Sequence, residues 1–165
     1  MIGNDIVDLA LAKKDSNWRR RGFLDKIFTT TEQTLIKDTQ DQDLMVWNLW
    51  SRKEAAYKIY NRETGIRAYI PIQLECIYEN ETTGTVNCNG NTYYTKTLIS
   101  GDKIHTIAFT NKSCFKEIVY LKSCDLIVKK EGLPYYFDKE RNTIRPISIS
   151  HHGRFKAAIA CNLVT

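Results

Sequence analysis

Residues 43–60 constrain the fold more than any other stretch, because their apolar side chains recur at three- and four-residue steps. The recurring residues are Val46, Trp47, Leu49, Trp50, Ala55, Ala56, Tyr57, Ile59 and Tyr60. That spacing predicts a well-buried helix. Either Asp41 or Asp43 can cap its start, and Gly65 lies beyond its end.

The residue composition of the sequence changes after Gly65. Short runs rich in Val, Ile, Thr and Tyr follow, separated by Asn and Gly. They predict strands at 68–78, 85–88, 92–98, 103–110 and 117–129. Turn signals at 89–91 and 100–102 predict antiparallel hairpins. Gly132-Leu133-Pro134 begins a predicted loop, and residues 147–150 and 155–163 end the chain as two strands.

The first 40 residues predict a short apolar strand at 2–9 and a helix that begins with a capping box. In that box the Thr29 hydroxyl accepts from the amide of Glu32, whose side chain reaches back. Helices gather early and strands late, and the sequence shows no internal repeat. We therefore predict an α+β fold, with an antiparallel sheet packed against the long helix, in one domain over residues 1–165.

Composition narrows the class of protein. The 165 residues carry 24 Lys and Arg against 19 Asp and Glu, a formal net charge of +5, which favours an anionic partner without choosing one. The five cysteines lack the spacing of a metal knuckle or a redox pair and predict reduced thiols. No signal peptide or apolar run long enough to span a membrane is present, so we expect a soluble, cytoplasmic protein with no membrane partner.

Glu54 and Lys58 are the first candidates for chemistry, because four residues apart on a helix they share one face. An ordinary i,i+4 ion pair is one interpretation. The other is a site for a divalent cation and a phosphate, favoured by the aromatic residues beside them. Asp5 is a further candidate, because an unpaired carboxylate inside an apolar strand is costly. Asp5 either caps a turn, pairs with an arginine, or holds a cation together with Glu54.

Four elements of the sequence resemble the 4′-phosphopantetheinyl transferases, in particular the small holo-acyl-carrier-protein synthase type. Gly3-Asn4-Asp5-Ile6-Val7-Asp8 resembles the Gly-x-Asp-Ile-Val motif, and Phe28-Thr29-Thr30-Thr31-Glu32 resembles the Phe-Thr-x-x-Glu helix start. Trp50-Ser51-Arg52-Lys53-Glu54-Ala55-Ala56-Tyr57-Lys58 is similar to the Lys-Glu-Ala-x-x-Lys signature. Gly132-Leu133-Pro134 and Ser148-Ile149-Ser150-His151 resemble Gly-Lys-Pro, here without its lysine, and Ser-x-Ser-His.

The resemblance implies a single lobe of that family's fold and Mg²⁺-dependent transfer of 4′-phosphopantetheine from coenzyme A to a serine of an apo acyl carrier protein. Asp5 and Glu54 are then the metal ligands. Lys58 is a catalytic residue at the pyrophosphate, with Glu54 or a metal-bound water as the base. Lys53, Ser150 and His151 are expected to help bind coenzyme A, whereas His152 is interpreted as a structural histidine at a strand end.

The resemblance also implies carrier docking at Arg19, Arg20 and Arg21, although a solvated basic surface explains this triplet equally well. Val7 stands where larger relatives have a third acid. Asp8 is expected to face away from Asp5 by strand alternation. Two other functions stay open: a degenerate relative that binds coenzyme A, and a non-catalytic nucleotide- or RNA-binding module. The second would stack bases on Tyr93, Tyr94, Tyr135 and Tyr136, but it leaves Asp5 and Glu54 unexplained.

Chain length bears on oligomeric state. In the resembled family the site lies between two lobes or two subunits, and this chain is intermediate in length. We expect self-association, most simply a homotrimer, with no nucleic acid partner. Alternatively, added residues between Gly65 and Gly132 could cover the open side and permit a monomer.

Overall fold

The computed structural model describes residues 1–122, 126–139 and 142–162. The first half of the chain contains all four α-helices of the described residues. Its elements are β1 (Ile2–Asp8), α1 (Leu9–Asp15), α2 (Phe23–Ile27), α3 (Thr30–Asp38), α4 (Gln42–Thr64), β2 (Glu75–Tyr78), β3 (Thr83–Cys88), β4 (Asn91–Ser100) and β5 (Lys103–Phe109). The second half contributes β6 (Ile118–Tyr120), β7 (Ile127–Lys130), β8 (Leu133–Asp138), β9 (Thr143–His152) and β10 (Phe155–Cys161). The α+β prediction is confirmed.

Helix α4 lies against the first sheet and begins and ends as its sequence dictates. The Asp41 side chain accepts from the amide of Leu44, and Gly65 ends the helix with a left-handed φ of 72°. The capping box of α3 is also present, with both of its hydrogen bonds. At Gly3, a Cβ would lie 2.0 Å from the carbonyl oxygen of Ala55. Only glycine therefore lets β1 approach α4 this closely, which sets the distance between Asp5 and the helix.

The ten strands of the described residues form two antiparallel sheets with the same connectivity. The first has the order β1-β5-β4-β3-β2 and the second β6-β10-β9-β8-β7. In each, the first strand pairs with the last, and the other strands follow as a meander. The hairpins β4–β5 and β9–β10 each have a two-residue turn that begins with a glycine, Gly101 at φ 55° and Gly153 at φ 53°. The structure thus contains a repeat that the sequence does not reveal.

The two sheets meet along the edge of β1 that does not pair with β5. Along this edge, the β1 amides donate to side chains of β9 and not to its backbone carbonyls. The amides of Asn4, Ile6 and Asp8 donate to Ser148 Oγ at 2.8 Å, Ser150 Oγ at 3.0 Å and His152 Nδ1 at 2.9 Å. We call these three bonds the β1–β9 seam. A small apolar cluster of Ile2, Ile107, Phe109 and Ile159 joins the sheets near one end of β1.

Some sequence predictions were wrong in detail. Of the strand at 68–78 only Glu75–Tyr78 forms, because Pro71 starts a short 3₁₀ turn instead. The predicted strand at 117–129 is split. Leu133 and Pro134 begin β8 and are not in a loop, since Glu131 and Gly132 already make the tight turn.

The remaining sequence predictions concern cysteines and the membrane. Cys76, Cys88 and Cys114 are free thiols, and Cys124 lies outside the described residues. Among the described helices, none combines the length and the apolar character that a membrane span requires.

Candidate active site

A cleft of about 360 Å³ brings three of the predicted site residues together. Asp5 of β1, Glu54 of α4 and His151 of β9 all line it, with Trp47 and Trp50 as its aromatic walls. Asp5 reaches it because Gly3, Asp5 and Val7 alternate onto the α4 side of the strand. The cleft therefore lies where the helix, the first sheet and the second sheet meet.

Asp5 is a buried carboxylate that interacts with Ser150 and Lys58, among other polar groups. The Ser150 hydroxyl donates to its Oδ1 at 3.2 Å, and Lys58 Nζ lies 3.7 Å from the same oxygen. Burial raises the pKa of Asp5, while Lys58 and the hydroxyl of Ser150 oppose that shift. Ser150 thus orients the candidate metal ligand in addition to holding the β1–β9 seam.

Lys58 does not form the ordinary i,i+4 pair with Glu54; within 4.0 Å its carboxylate partner among the described residues is Asp5. Its ammonium donates to the carbonyls of Asn4 at 2.6 Å and Ile149 at 3.4 Å. The side chain is 31% exposed. It therefore spans both strands of the β1–β9 seam while it remains accessible from solvent.

Glu54 has an unusual environment for a carboxyl group. Burial, reinforced by the nearby charge of Asp5, raises its pKa to about 7, although Lys58 lowers it somewhat. The negative charge of Asp5 disfavours ionisation of Glu54, and a cation bound by both carboxyl groups would remove that penalty. Beside them, the buried Ser51 hydroxyl interacts with Asp5 and opposes the rise of its pKa.

The second sheet brings both of its histidines to this cleft. His151 is exposed at its mouth. The ring of His152 accepts the amide proton of Asp8, so the structural interpretation of His152 is confirmed. Asp8 itself caps α1 and forms an ion pair with Arg154, which together with further hydrogen bonds lowers its pKa. As strand alternation predicted, Asp8 is directed away from Asp5.

The expectation that Lys53 helps bind an anion is contradicted by its environment. Its ammonium is completely buried and lies 2.7 Å from Glu32 Oε2, and it also donates to the carbonyl of Pro71. One residue along a helix is a rotation of about 100°, so Lys53 and Glu54 face different surroundings. Lys53 joins α4 to α3 and does not reach the cleft.

Beside the cleft, a groove of about 720 Å³ runs between α1 and the start of α4, and Trp47 lines both. Of the predicted docking residues only Arg19 lines this groove. Arg19 also pairs with Asp43 at 2.9 Å, while the Arg20 guanidinium lies over the Phe23 ring. Arg21 is exposed. The sequence analysis did not single out Lys13 and Lys14, which add two cations to the groove.

A family model provides the decisive comparison. The model of the 4′-phosphopantetheinyl transferase superfamily (ACPS) matches residues 1–110, which include β1, the helices and the whole first sheet. The chain belongs to the 4′-phosphopantetheinyl transferase superfamily. Strands β2 to β5 therefore lie inside the matched region, although we expected the added length to begin after Gly65. No curated protein matches the sequence significantly.

Solved structures show the same fold in transferases of this superfamily. An apo-ACPS structure titled as from Chronobacterium ammoiniagenes is 12% identical, with a TM-score of 0.52, and covers 66% of this chain and 93% of its own. Holo-[acyl-carrier-protein] synthase from Neisseria meningitidis is 18% identical, with a TM-score of 0.50 over 65% and 94%. The Thermotoga maritima synthase, 12% identical, has a TM-score of 0.52 over 98% and 83%.

Two features of the site have no sequence signal: the bond between Ser150 and Asp5, and the position of Tyr69. Ser150 was expected to contact coenzyme A, and its bond to Asp5 follows from the β1–β9 seam, which no local pattern encodes. Tyr69, from the segment between α4 and β2, packs against Trp50 and belongs to none of the motifs. Ser51 shares the helix face of Glu54 and Lys58, as its spacing from them predicts.

Proposed function

We propose that this chain transfers the 4′-phosphopantetheine group of coenzyme A to a serine of an apo acyl carrier protein and releases 3′,5′-ADP. Superfamily membership supports phosphopantetheine transfer in general. The observation that carries the specific proposal is the meeting of Asp5, Glu54 and His151 in one cleft.

The donors of the cleft fit a magnesium ion. Mg²⁺ is usually held by one or two carboxylates, with water and substrate phosphates in its other positions. Asp5 and Glu54 are such a pair, and the described residues contain no cluster of three or more His, Cys, Asp or Glu side chains that could replace them. When bound, the ion would neutralise negative charge on the pyrophosphate of coenzyme A.

The protein's own groups divide the remaining tasks. Lys58, fixed by two carbonyls and still accessible, is proposed to contact the pyrophosphate and stabilise the charge that develops during phosphoryl transfer. His151, at the mouth of the cleft, is proposed to contact the phosphates at the adenosine end. Glu54, whose pKa is close to neutral, or a water beside it, accepts the proton of the attacking serine.

The carrier protein is proposed to dock on the groove beside the cleft. Lys13, Lys14 and Arg19 line it together with four aspartates, Asp15, Asp41, Asp43 and Asp102, so its attraction for an acidic carrier is proposed to come from Arg20 and Arg21, which are exposed nearby. An acidic partner would be attracted to these cations. Because Trp47 lines both the groove and the cleft, a carrier bound there would have its serine close to Glu54.

One chain is proposed to be sufficient for activity. β9 already covers the free edge of β1 from within the same chain, and it brings His151 to the cleft. Of the two expectations for oligomeric state, this arrangement favours the monomer over the trimer.

A mass measurement tests the function directly. The protein is incubated with Mg²⁺, coenzyme A and a panel of apo carrier proteins, and the intact mass of each carrier is recorded. We expect one carrier to gain one phosphopantetheine group and the product to be absent when EDTA is added. Binding of coenzyme A without transfer to any carrier would instead support the degenerate relative.

The RNA-binding alternative loses its main support in the structure. Tyr93 is fully buried and its hydroxyl bonds to Glu63 at 3.4 Å. It cannot stack on a base, so the four tyrosines do not form one exposed platform.

A further inference from the structure

The segment 66–71 crosses the α4 face that carries Glu54, and α4 holds it at both ends. The Asn61 side chain donates to the carbonyl of Ile66 at 2.7 Å, and Tyr57 donates to that of Arg67 at 2.6 Å. At the other end, Lys53 donates to the carbonyl of Pro71 at 3.0 Å. Tyr69 lies between these anchors, so its position is determined by the helix.

The Tyr69 ring is fixed over the middle of this helix face. Residues 50, 54 and 57 share one face because they are four and three residues apart. The ring packs edge-on against Trp50, with centroids 5.8 Å apart, and tilted against Tyr57 at 4.8 Å. A ring in contact with both of these aromatic side chains lies beside Glu54, which is between them.

The Tyr69 hydroxyl is a buried donor beside Glu54. It forms no hydrogen bond of good geometry with any described residue, but its interaction with Glu54 lowers the pKa of that carboxyl group. A buried hydroxyl without a partner is unfavourable. Burial, followed by the charges of Glu54 and Asp5, raises the pKa of Tyr69, which agrees with a phenol that stays protonated beside two carboxyl groups.

We propose that Tyr69 is a positioning residue, whose hydroxyl donates to the Glu54 carboxylate and holds it in the orientation that binds the metal ion. A hydrogen bond of this kind limits the rotation of a ligand carboxylate, as outer-shell partners do in other metal sites. The effect of Tyr69 on metal binding rests on the proposed function, whereas its contact with Glu54 does not. The contact itself is tested in metal-free protein.

A double-mutant cycle tests the contact. Tyr69→Phe, Glu54→Gln and the double variant are unfolded in urea at pH 8 without metal. Tyr69→Phe should lower the urea midpoint in the wild-type background and have a clearly smaller effect in the Glu54→Gln background, because the charged acceptor is gone. Tyr93→Phe is the matched control: it removes a buried hydroxyl that donates to a different carboxylate of α4, that of Glu63, and should be additive with Glu54→Gln. Additivity of Tyr69→Phe as well would overturn the contact.

Binding of Mn²⁺, used as a probe of the Mg²⁺ site and measured by calorimetry, tests the consequence. Tyr69→Phe should weaken binding about 10-fold, and Tyr93→Phe by less than about twofold. Equal affinities for wild type and Tyr69→Phe would show that Tyr69 does not position the ligand. If wild type binds no Mn²⁺, the proposed metal site and its positioning role both fail, whereas the unfolding cycle still decides whether Tyr69 contacts Glu54.

Discussion

The two sheets have the same strand order but carry different chemistry. In the first, four helices stand between β1 and β2, and α4 covers one face and supplies Glu54 and Lys58. In the second, β6 and β7 are separated by only a few residues, with no α-helix in the described part of that half. Repetition of a sheet therefore does not repeat the site.

Strand register shows where the second sheet lacks the acid. Asp5 of β1 is opposite Thr106, three residues after the first residue of β5. The equivalent position in β10 is Ala158, whose carbonyl accepts a hydrogen bond from the amide of Leu121. The second sheet thus has an apolar side chain where the first has its candidate metal ligand. Its contribution to the cleft comes instead from β9, through Ser150 and His151.

The largest expected effect comes from removing this difference between the sheets. Asp5→Asn keeps the shape of the side chain but removes the negative charge that the equivalent position of the second sheet lacks. We expect transfer to fall by about 10²–10³-fold or more, as for loss of a group that stabilises the transition state. Mass spectrometry of the carrier measures it, with the exposed Asp25→Asn as the control. Activity close to wild type would remove Asp5 from the metal site.

The β1–β9 seam provides a second test, with an intermediate effect. Ser148→Ala leaves the buried amide of Asn4 without its partner, which should cost about 1–3 kcal/mol of unfolding free energy. Ser150→Ala should have a similar cost and should also slow transfer, because it removes the donor to Asp5. Urea unfolding and the transfer assay measure the two quantities, with the exposed Ser113→Ala as the control.

The outcome for these two serines separates two models of the second sheet. If both variants lose stability but only Ser150→Ala loses activity, the seam holds the sheets together and Ser150 also orients Asp5. If neither variant changes the unfolding free energy, the two sheets do not depend on these side chains for their association.

Much of the fold follows from local patterns. The period of apolar residues predicts α4, the Thr29–Glu32 box predicts the start of α3, and strand alternation predicts the direction of Asp8. A cation held by Asp5 and Glu54 is one of several interpretations that the residues allow, and the resemblance favours it over the others. The resemblance is misleading at Lys53, because adjacent residues in a motif occupy different helix faces.

The remaining features depend on long-range packing. The β1–β9 seam joins residues 144 positions apart, and Tyr69 reaches Glu54 only because α4 holds the segment 66–71. The repeat of the sheets is likewise visible only in the strand order. A strand's neighbours depend on the whole topology, which short sequence patterns do not encode.

The smallest expected effect concerns the ionisation of Glu54 and its influence on the stability of the metal-free protein. The pKa of Glu54 is about 7 in the folded chain and 4.5 ordinarily, so between these values the unfolded chain loses the proton first. Ionisation then favours the unfolded state, and wild-type stability should fall as pH rises from about 4.5 to 7. Glu54→Gln removes this loss. The variant should gain stability relative to wild type across that window, by on the order of 1–3 kcal/mol. Urea unfolding at pH 4, 6 and 8 measures the difference, and the exposed Glu79→Gln should show none of it. A difference that stays constant with pH would mean that Glu54 ionises as freely in the cleft as in water, and the electrostatic contrast between the two halves would then rest on Asp5 alone.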